Sequence, residues 1–321
     1  MQYRTIQRLG WKVSEIGYGM WGMGGWSGSD DAESMSALHR SVEVGCNFFD
    51  TAWAYGNGKS ERMLGDLLRQ HKQTPLYAAT KIPPKNQRWT GLSKVALDDV
   101  FPPQHIRDYT YRSLENLGID AIDLQQFHAW NDEWARDERW QRSVTDLKAE
   151  GVVRSFGISV NRWEPNNVLK ALESGLIDCV QVVYNIFDQA PEDKLFHVCK
   201  AKGIGVIARV PFDEGSLAGV LKPDSAWPEG DFRNTYFRAD NLRATLERIE
   251  ALQSLVPAGS ALPDMALRFI LANPVVSTTI PGMRRAQHVE RNALASDGKP
   301  LPAALYNALR AHRWDRSAVL P

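Results

Sequence analysis

Residues 47–82 open with Asn47-Phe48-Phe49-Asp50-Thr51-Ala52-Trp53-Ala54-Tyr55-Gly56 and close with Leu76-Tyr77-Ala78-Ala79-Thr80-Lys81-Ile82. Both ends read as short apolar strands, Asn47–Ala52 and Leu76–Ile82, and Ser60–Gln70 between them reads as an amphipathic helix. A strand, a crossover helix and a second strand form the unit of a parallel sheet. The unit repeats in both directions. Upstream, Ile16–Trp21 reads as a strand, preceded over residues 2–15 by a small hairpin that turns at Leu9-Gly10-Trp11. Downstream, strands are predicted at Asp123–His128, Val153–Ser159, Cys179–Tyr184, Val206–Val210 and Val276–Ile280, giving eight in all.

Helices are predicted over Asp31–Val44, Pro103–Leu117, Glu138–Ala149, Pro165–Ser174, Asp193–Ala201, Ala239–Leu255, Pro263–Ala272, Ala286–Leu294 and Pro302–Arg313. Gly45, Gly118, Gly151, Gly175 and Gly203 stand where a helix C-terminus favours glycine. Eight such units with right-handed crossovers close most simply as an α/β (β/α)8 TIM barrel, with an N-terminal β-hairpin and an extra C-terminal helix. Residues 1–321 then form a single domain. An open doubly wound sheet shares the alternation, and Gly17-x-Gly19-x-x-Gly22 formally matches a dinucleotide fingerprint. No helix follows it at once to hold a pyrophosphate, which argues against that reading. Pro83–Pro102 and Asp213–Arg238 exceed a minimal barrel and read as lids or binding loops.

Composition narrows the partners. Lys+Arg and Asp+Glu both number 38 in 321 residues, so no broad field steers the protein to nucleic acid or an anionic membrane. Cys46, Cys179 and Cys199 are too scattered for a disulfide framework and suit a reducing compartment. The polar start reads as no signal peptide, and no apolar run approaches the ~20 residues of a membrane span. These features together predict a cytoplasmic protein whose partners are small molecules or further copies of itself.

In a (β/α)8 barrel chemistry sits where strands end, which singles out Asp50, Tyr55, Lys81 and His128. Each has an ordinary structural explanation alone; jointly they suit one task. Reducing a carbonyl by hydride transfer needs a proton donor, and a tyrosine with a pKa of ~10 serves if a lysine cation brings that value down. A carboxylate such as Asp50 keeps the lysine charged, and His128 orients the carbonyl oxygen. A metal-dependent hydrolase would need several His, Asp or Glu at strand ends, whereas of the seven histidines only His128 ends a strand convincingly. No metal site is predicted.

At these residues the sequence resembles the aldo-keto reductase family. Asp50-Thr51-Ala52-Trp53-Ala54-Tyr55-Gly56 is similar to the family's D-T-A-x-x-Y-G, and Thr80-Lys81 and His128 match its third- and fourth-strand motifs. The resemblance implies Tyr55 as general acid/base, tuned by Lys81 and Asp50, with His128 positioning the substrate. It further implies NADP(H), with NAD(H) the less favoured cofactor. Ser159 and Gln181 resemble contacts to the nicotinamide carboxamide, with Val160 replacing the family's usual asparagine and Asn161 one residue later. ARVPFDEG, including Arg209 and Pro211, resembles the loop along the pyrophosphate, though Arg209 replaces an aromatic that usually stacks on the nicotinamide. A cation there repels the oxidised ring unless a carboxylate such as Asp213 or Glu214 offsets it. IPGMRRAQHVERN resembles the last strand and the adenosine turn, which implies roles for Gly282, for Arg284 or Arg285 at a 2′-phosphate, for His288 and for Asn292.

Trp21, Trp26, Trp53, Trp89 and Trp130 fall at or beyond the ends of early strands and suit the walls of a pocket for a small aldehyde, ketone or sugar. The expected protein is therefore an oxidoreductase, a carbonyl reductase. The alternative is a regulatory, redox-sensing subunit that keeps the barrel and cofactor with little turnover.

Overall fold

The computed structural model describes residues 1–25 and 29–316. Strands β1 (Tyr3–Ile6) and β2 (Trp11–Ser14) pair antiparallel as the expected hairpin. The barrel strands follow as β3 (Tyr18–Gly19), β4 (Phe48–Asp50), β5 (Tyr77–Ile82), β6 (Ile122–Phe127), β7 (Val153–Ser159), β8 (Cys179–Val183), β9 (Gly205–Arg209) and β10 (Val276–Thr279). All eight are parallel and lie in chain order across the sheet. Parallel bridges Ile16↔Thr279 and Gly19↔Gly282 join the first strand to the last. That closure needs a bare backbone, because a Cβ on Gly19 would lie 2.5 Å from the Ile280 carbonyl oxygen.

Helices α1 (Asp31–Glu43), α2 (Lys59–Gln70), α3 (Leu97–Val100), α4 (Pro103–Leu117), α5 (Glu138–Ala149), α6 (Leu195–Lys202), α7 (Phe232–Tyr236), α8 (Ala239–Gln253), α9 (Leu262–Leu271), α10 (Ala286–Ala293) and α11 (Ala303–Arg310) accompany the strands. The two long loops contain α3 and α7. Ile6 and Val13 of the hairpin join Phe48, Ala79, Leu124, Cys179, Ile207 and Ile280 in one apolar cluster, so the hairpin plugs the end where strands begin. The other end, where strands finish, is left for chemistry.

The predicted helix Pro165–Ser174 does not form as such. Residues 162–170 are turns, and only Ala171–Ser174 is a short 3-10 helix. The carboxylate of Asp132 accepts from the backbone N–H of Lys170 at 2.7 Å and of Ala171 at 3.0 Å, replacing the carbonyl acceptors a regular helix would offer them. Trp130, expected in the pocket wall, is also corrected. It is completely buried against Phe127, Trp134 and Trp140, with its indole N–H on Asp132, and belongs to the core behind β6. Trp26 lies outside the described residues.

Candidate active site

The turn after β4 brings Tyr55 over the barrel mouth. Its backbone closes through Tyr55 N–H to Ala52 carbonyl at 3.0 Å and Gly58 N–H to Trp53 carbonyl at 2.7 Å. Gly56 adopts φ 66°, and a Cβ there would sit 2.5 Å from the Gly24 carbonyl oxygen, so glycine is what lets this turn pack on the loop after β3.

Lys81, on neighbouring β5, is fully buried. Its Nζ lies 2.6 Å from Asp50 Oδ2, 2.8 Å from the Thr51 carbonyl and 3.4 Å from the Tyr55 hydroxyl. Three acceptors meet the three donors of an ammonium, which keeps a buried cation tolerable. Asp50 Oδ1 in turn accepts from Gln181 Nε2 at 2.7 Å and Gln126 Nε2 at 3.3 Å. The His128 ring stands edge-on to Tyr55 with centroids 5.6 Å apart, and Trp89 stands edge-on to His128 at 6.0 Å. The structure thus brings Asp50, Tyr55, Lys81 and His128 to one place.

Electrostatics differ from expectation at Tyr55. Desolvation raises its pKa above 10 and Asp50 adds to this, while Lys81 and Arg209 oppose without reversing it. The hydroxyl therefore keeps its proton at neutral pH. Burial and the cations Lys81 and Arg209 hold His128 well below its usual 6.5, so the imidazole is neutral, with Nδ1 buried and unpartnered.

Ser159 and Gln181 end or line adjacent strands β7 and β8, paired in register. Gln181 commits its amide N–H to Asp50, a brace the sequence did not reveal. Asn161 is spent on Trp130, accepting from its N–H at 3.1 Å and donating to its carbonyl at 2.8 Å. Asp213 and Glu214 pair with Arg162 at 3.4 and 2.5 Å, and Asp213 also with Arg316 at 2.9 Å; of the two, Glu214 acts on Arg209 as well, through its charge and without an ion pair. Pro211 lies buried between β9 and this cluster. Near the last strand, Arg284 packs over Gly22 of the turn Trp21–Met23, and its Nη1 is buried without a partner. Arg285 points elsewhere, to Glu33 at 3.4 Å. On α10, Asn292 is buried and His288 exposed, its pKa lowered by partial desolvation and the neighbouring arginines. Trp21 and Trp89 are exposed, and Trp53 stacks edge-on against Tyr109.

These groups fit a dinucleotide. Arg209 Nε, Arg284 Nη1 and His128 Nδ1 are buried polar atoms with no protein partner, and Gly282 borders open space, where a Cβ would approach nothing nearer than the Gly19 carbonyl at 3.9 Å. The two guanidinium groups among them suit the anionic groups of a dinucleotide. Gln126, Thr51, Arg162 and Arg316 carry weight here that sequence reasoning missed; only Gln126, two residues before His128 on the same face of its strand, left a readable trace.

The aldo/keto reductase family model matches residues 15–313. The chain belongs to this family. As an aldo/keto reductase it is an oxidoreductase, and its relatives extend along the whole barrel. An uncharacterized oxidoreductase of Bacillus subtilis is 28% identical over 97% of this chain and 96% of that one. An NADP(+) aldo-keto reductase of Schizosaccharomyces pombe is 27% identical over 87% of this chain and 83% of its own. The glycerol dehydrogenase of Gluconobacter oxydans superposes with a TM-score of 0.79 at 25% identity, covering 97% of this chain and 94% of that structure.

Proposed function

We propose that this aldo/keto reductase uses NADP(H) to reduce a small aldehyde or ketone, a sugar among the candidates, with Tyr55 as proton donor. The observation that carries the reading is the buried Lys81 ammonium held between Asp50 at 2.6 Å and the Tyr55 hydroxyl at 3.4 Å. When bound, NADPH supplies a hydride for the carbonyl carbon. Tyr55, protonated in the resting site, gives its proton to the carbonyl oxygen as that oxygen gains charge. Lys81 stabilises the tyrosinate left behind, and Asp50 keeps Lys81 charged. Neutral His128 donates a hydrogen bond to the same oxygen and orients it. Tyr55 regains its proton from solvent, so carbonyl, hydride and one proton account for the alcohol.

Ser159 and Gln181 would hold the carboxamide, Arg209 and Pro211 would flank the cofactor, and Gly282, Arg284, His288 and Asn292 would bind its adenosine end. The NADP preference is supported by Arg284, whose guanidinium has an open donor, and by the name of the fission-yeast relative. Trp21, Trp53 and Trp89 would wall the substrate. A cytoplasmic location fits three buried free cysteines, and no helix among the described residues is long and apolar enough to cross a membrane.

The test is Tyr55→Phe. General acid catalysis contributes roughly 10²–10⁴-fold, so NADPH oxidation by an aldehyde panel should fall by that factor while fluorescence titration shows NADPH still bound. Turnover undiminished with chemistry rate-limiting would remove Tyr55 from the reaction, and no turnover of any carbonyl by wild type would favour the regulatory reading.

A further inference from the structure

Away from the barrel mouth, two histidines meet between the first two helices. His39 lies one turn before the end of α1 and His71 caps the C-terminus of α2, and both are half-buried. His39 Nδ1 and His71 Nε2 stand 2.9 Å apart, with ring centroids 5.1 Å apart and ring planes at 40°. One nitrogen donates and the other accepts, so a single proton holds the rings together. Leu38 of α1 and Leu67 of α2, each beside these histidines in the chain or one turn away, are fully buried in one apolar cluster, which fixes the spacing of the two helices. The histidines are 32 positions apart, so no sequence motif announces the pair.

That spacing is close to the spacing of two ligands on one metal ion. Two imidazoles on a tetrahedral zinc, with Zn–N of ~2.0–2.1 Å, have their nitrogens ~3.3 Å and their ring centres ~5 Å apart. The rings therefore need only tilt, with their centres in place, to aim both inner lone pairs at a common point. Nearby charges do not bar a cation. Arg40 is paired with Glu43 and Glu290, Arg69 is paired with Asp66, and Lys72 is exposed to solvent. The negative end of the α2 dipole lies at His71 and favours positive charge there.

We infer that His39 and His71 form a two-imidazole site for a late first-row divalent cation, Zn²⁺ or Cu²⁺, with water in the remaining positions, and that filling it staples α1 to α2. No third His, Cys, Asp or Glu joins them among the described residues, so the site is open to solvent ligands, unlike a closed structural zinc site. The metal takes the place of the shared proton. That proton passes through solvent to the outer nitrogen of the ring that held it, His39 Nε2 or His71 Nδ1. Both inner nitrogens then become ligands, and no net proton is lost. Neutral imidazole is a common ligand for such metals, with Cu²⁺ held above Zn²⁺ and the oxygen-seeking Mg²⁺ left in solution.

The experiment titrates the full chain, stripped with EDTA and dialysed, with ZnCl₂, CuCl₂ and MgCl₂ by calorimetry, and follows Tm with and without zinc. The comparison variants are His39→Gln, His71→Gln and the two together, whose amides still hydrogen-bond between the helices but give up the imidazoles. Wild type should bind one zinc per chain in its tightest step. Each single variant should bind zinc at least tenfold more weakly, and Mg²⁺ should give no binding heat. At zinc ~100-fold above the wild-type Kd, Tm should rise in wild type, and EDTA should reverse the rise. The double variant should show little or no rise. Equal zinc affinity in wild type and double variant overturns the inference, because the ion then sits on other side chains. Failure of wild type to bind either zinc or copper also overturns it, and leaves the pair as a hydrogen bond alone.

Discussion

Tyr55 sits between two opposing influences, the loss of water that raises its pKa and the Lys81 ammonium that lowers it. For a reductase the working form is the protonated phenol, so rate falls as pH climbs through that pKa. Lys81→Met removes the lowering influence and leaves Asp50 to raise the pKa further. The falling limb of the pH–kcat/KM profile should then move upward, since the adjacent opposite charge is gone, and kcat at neutral pH should drop because tyrosinate has lost its cation. Since Asp50 would also be left buried without its partner, the comparison includes Lys81→Met/Asp50→Asn, which removes both charges. A limb that stays in place in both variants would show that Lys81 serves folding alone. The Gln126 and Gln181 bonds to Asp50 explain why one carboxylate can hold the lysine: its second oxygen is occupied from two further strands. The tetrad is thus fixed from β4, β5, β6 and β8 together.

At the level of elements, period and punctuation made most of the barrel legible. Val153–Ser159 coincides with β7 from end to end, and Pro103–Leu117 with α4, because an uninterrupted apolar run and a proline start with a glycine stop leave little alternative. The first strand was overextended at Ile16–Trp21, since its pairing continues only as isolated bridges around a two-residue β3. Pro165–Ser174 failed for a tertiary reason: Asp132, more than thirty residues away in sequence, takes the backbone donors. Site geometry was legible where a strand end fixes it, as for Lys81, and illegible where loops decide, as for Arg162 and Arg316. The turn between β10 and α10 separates two adjacent arginines that the sequence left equivalent. Arg284 keeps a buried open donor, while Arg285 is exposed and paired with Glu33. Charge-assisted hydrogen bonds are worth about 1.5–3 kcal/mol, so Arg284→Ala should weaken NADPH by roughly ten- to a hundred-fold and NADH far less. Arg285→Ala should change either by much less. Fluorescence titration of both cofactors decides it, and equal loss of NADPH and NADH in Arg284→Ala would place that side chain away from the 2′-phosphate.

Across the whole molecule, the C-terminal tail ties the rims of late strands together. Beyond α11, Arg313 pairs with Asp193 at 2.7 Å, Trp314 N–H donates to the Phe187 carbonyl at 2.8 Å, and Arg248 stacks on the Trp314 ring at 4.0 Å. Arg316 then inserts among Asp188 at 2.6 Å, Asp213 at 2.9 Å and the Tyr236 hydroxyl, joining the segments after β8 and β9 to α7. The segment it holds is strained, with Val210, Asp213 and Glu214 at φ 56°, 45° and 55°. Left-handed backbone at non-glycine residues costs of order 1–3 kcal/mol each and persists only where surroundings enforce it. Arg316→Ala leaves Asp213 fully buried with Arg162 as its remaining cation, and breaking a buried pair typically costs about 3–5 kcal/mol. Because Arg162 stays, the lower end applies, about 3 kcal/mol. At roughly 2–4 °C per kcal/mol for a protein of this size or somewhat smaller, Tm should fall by about 6–12 °C. The pH dependence has a definite sign. Asp213 is held below its usual 3.8 by Arg316 and Arg162, against the opposing effect of burial; a depressed carboxylate contributes stability above its unfolded pKa that is lost as pH falls through the folded one. Removing Arg316 raises the folded value, so acid unfolding of Arg316→Ala should begin at higher pH than in wild type. The double variant Arg316→Ala/Asp213→Asn should lose less than the sum of the singles, a coupling above 0.5 kcal/mol being the mark of direct contact. An unchanged Tm and acid midpoint in Arg316→Ala would mean that the tail does not hold the β9 segment in solution.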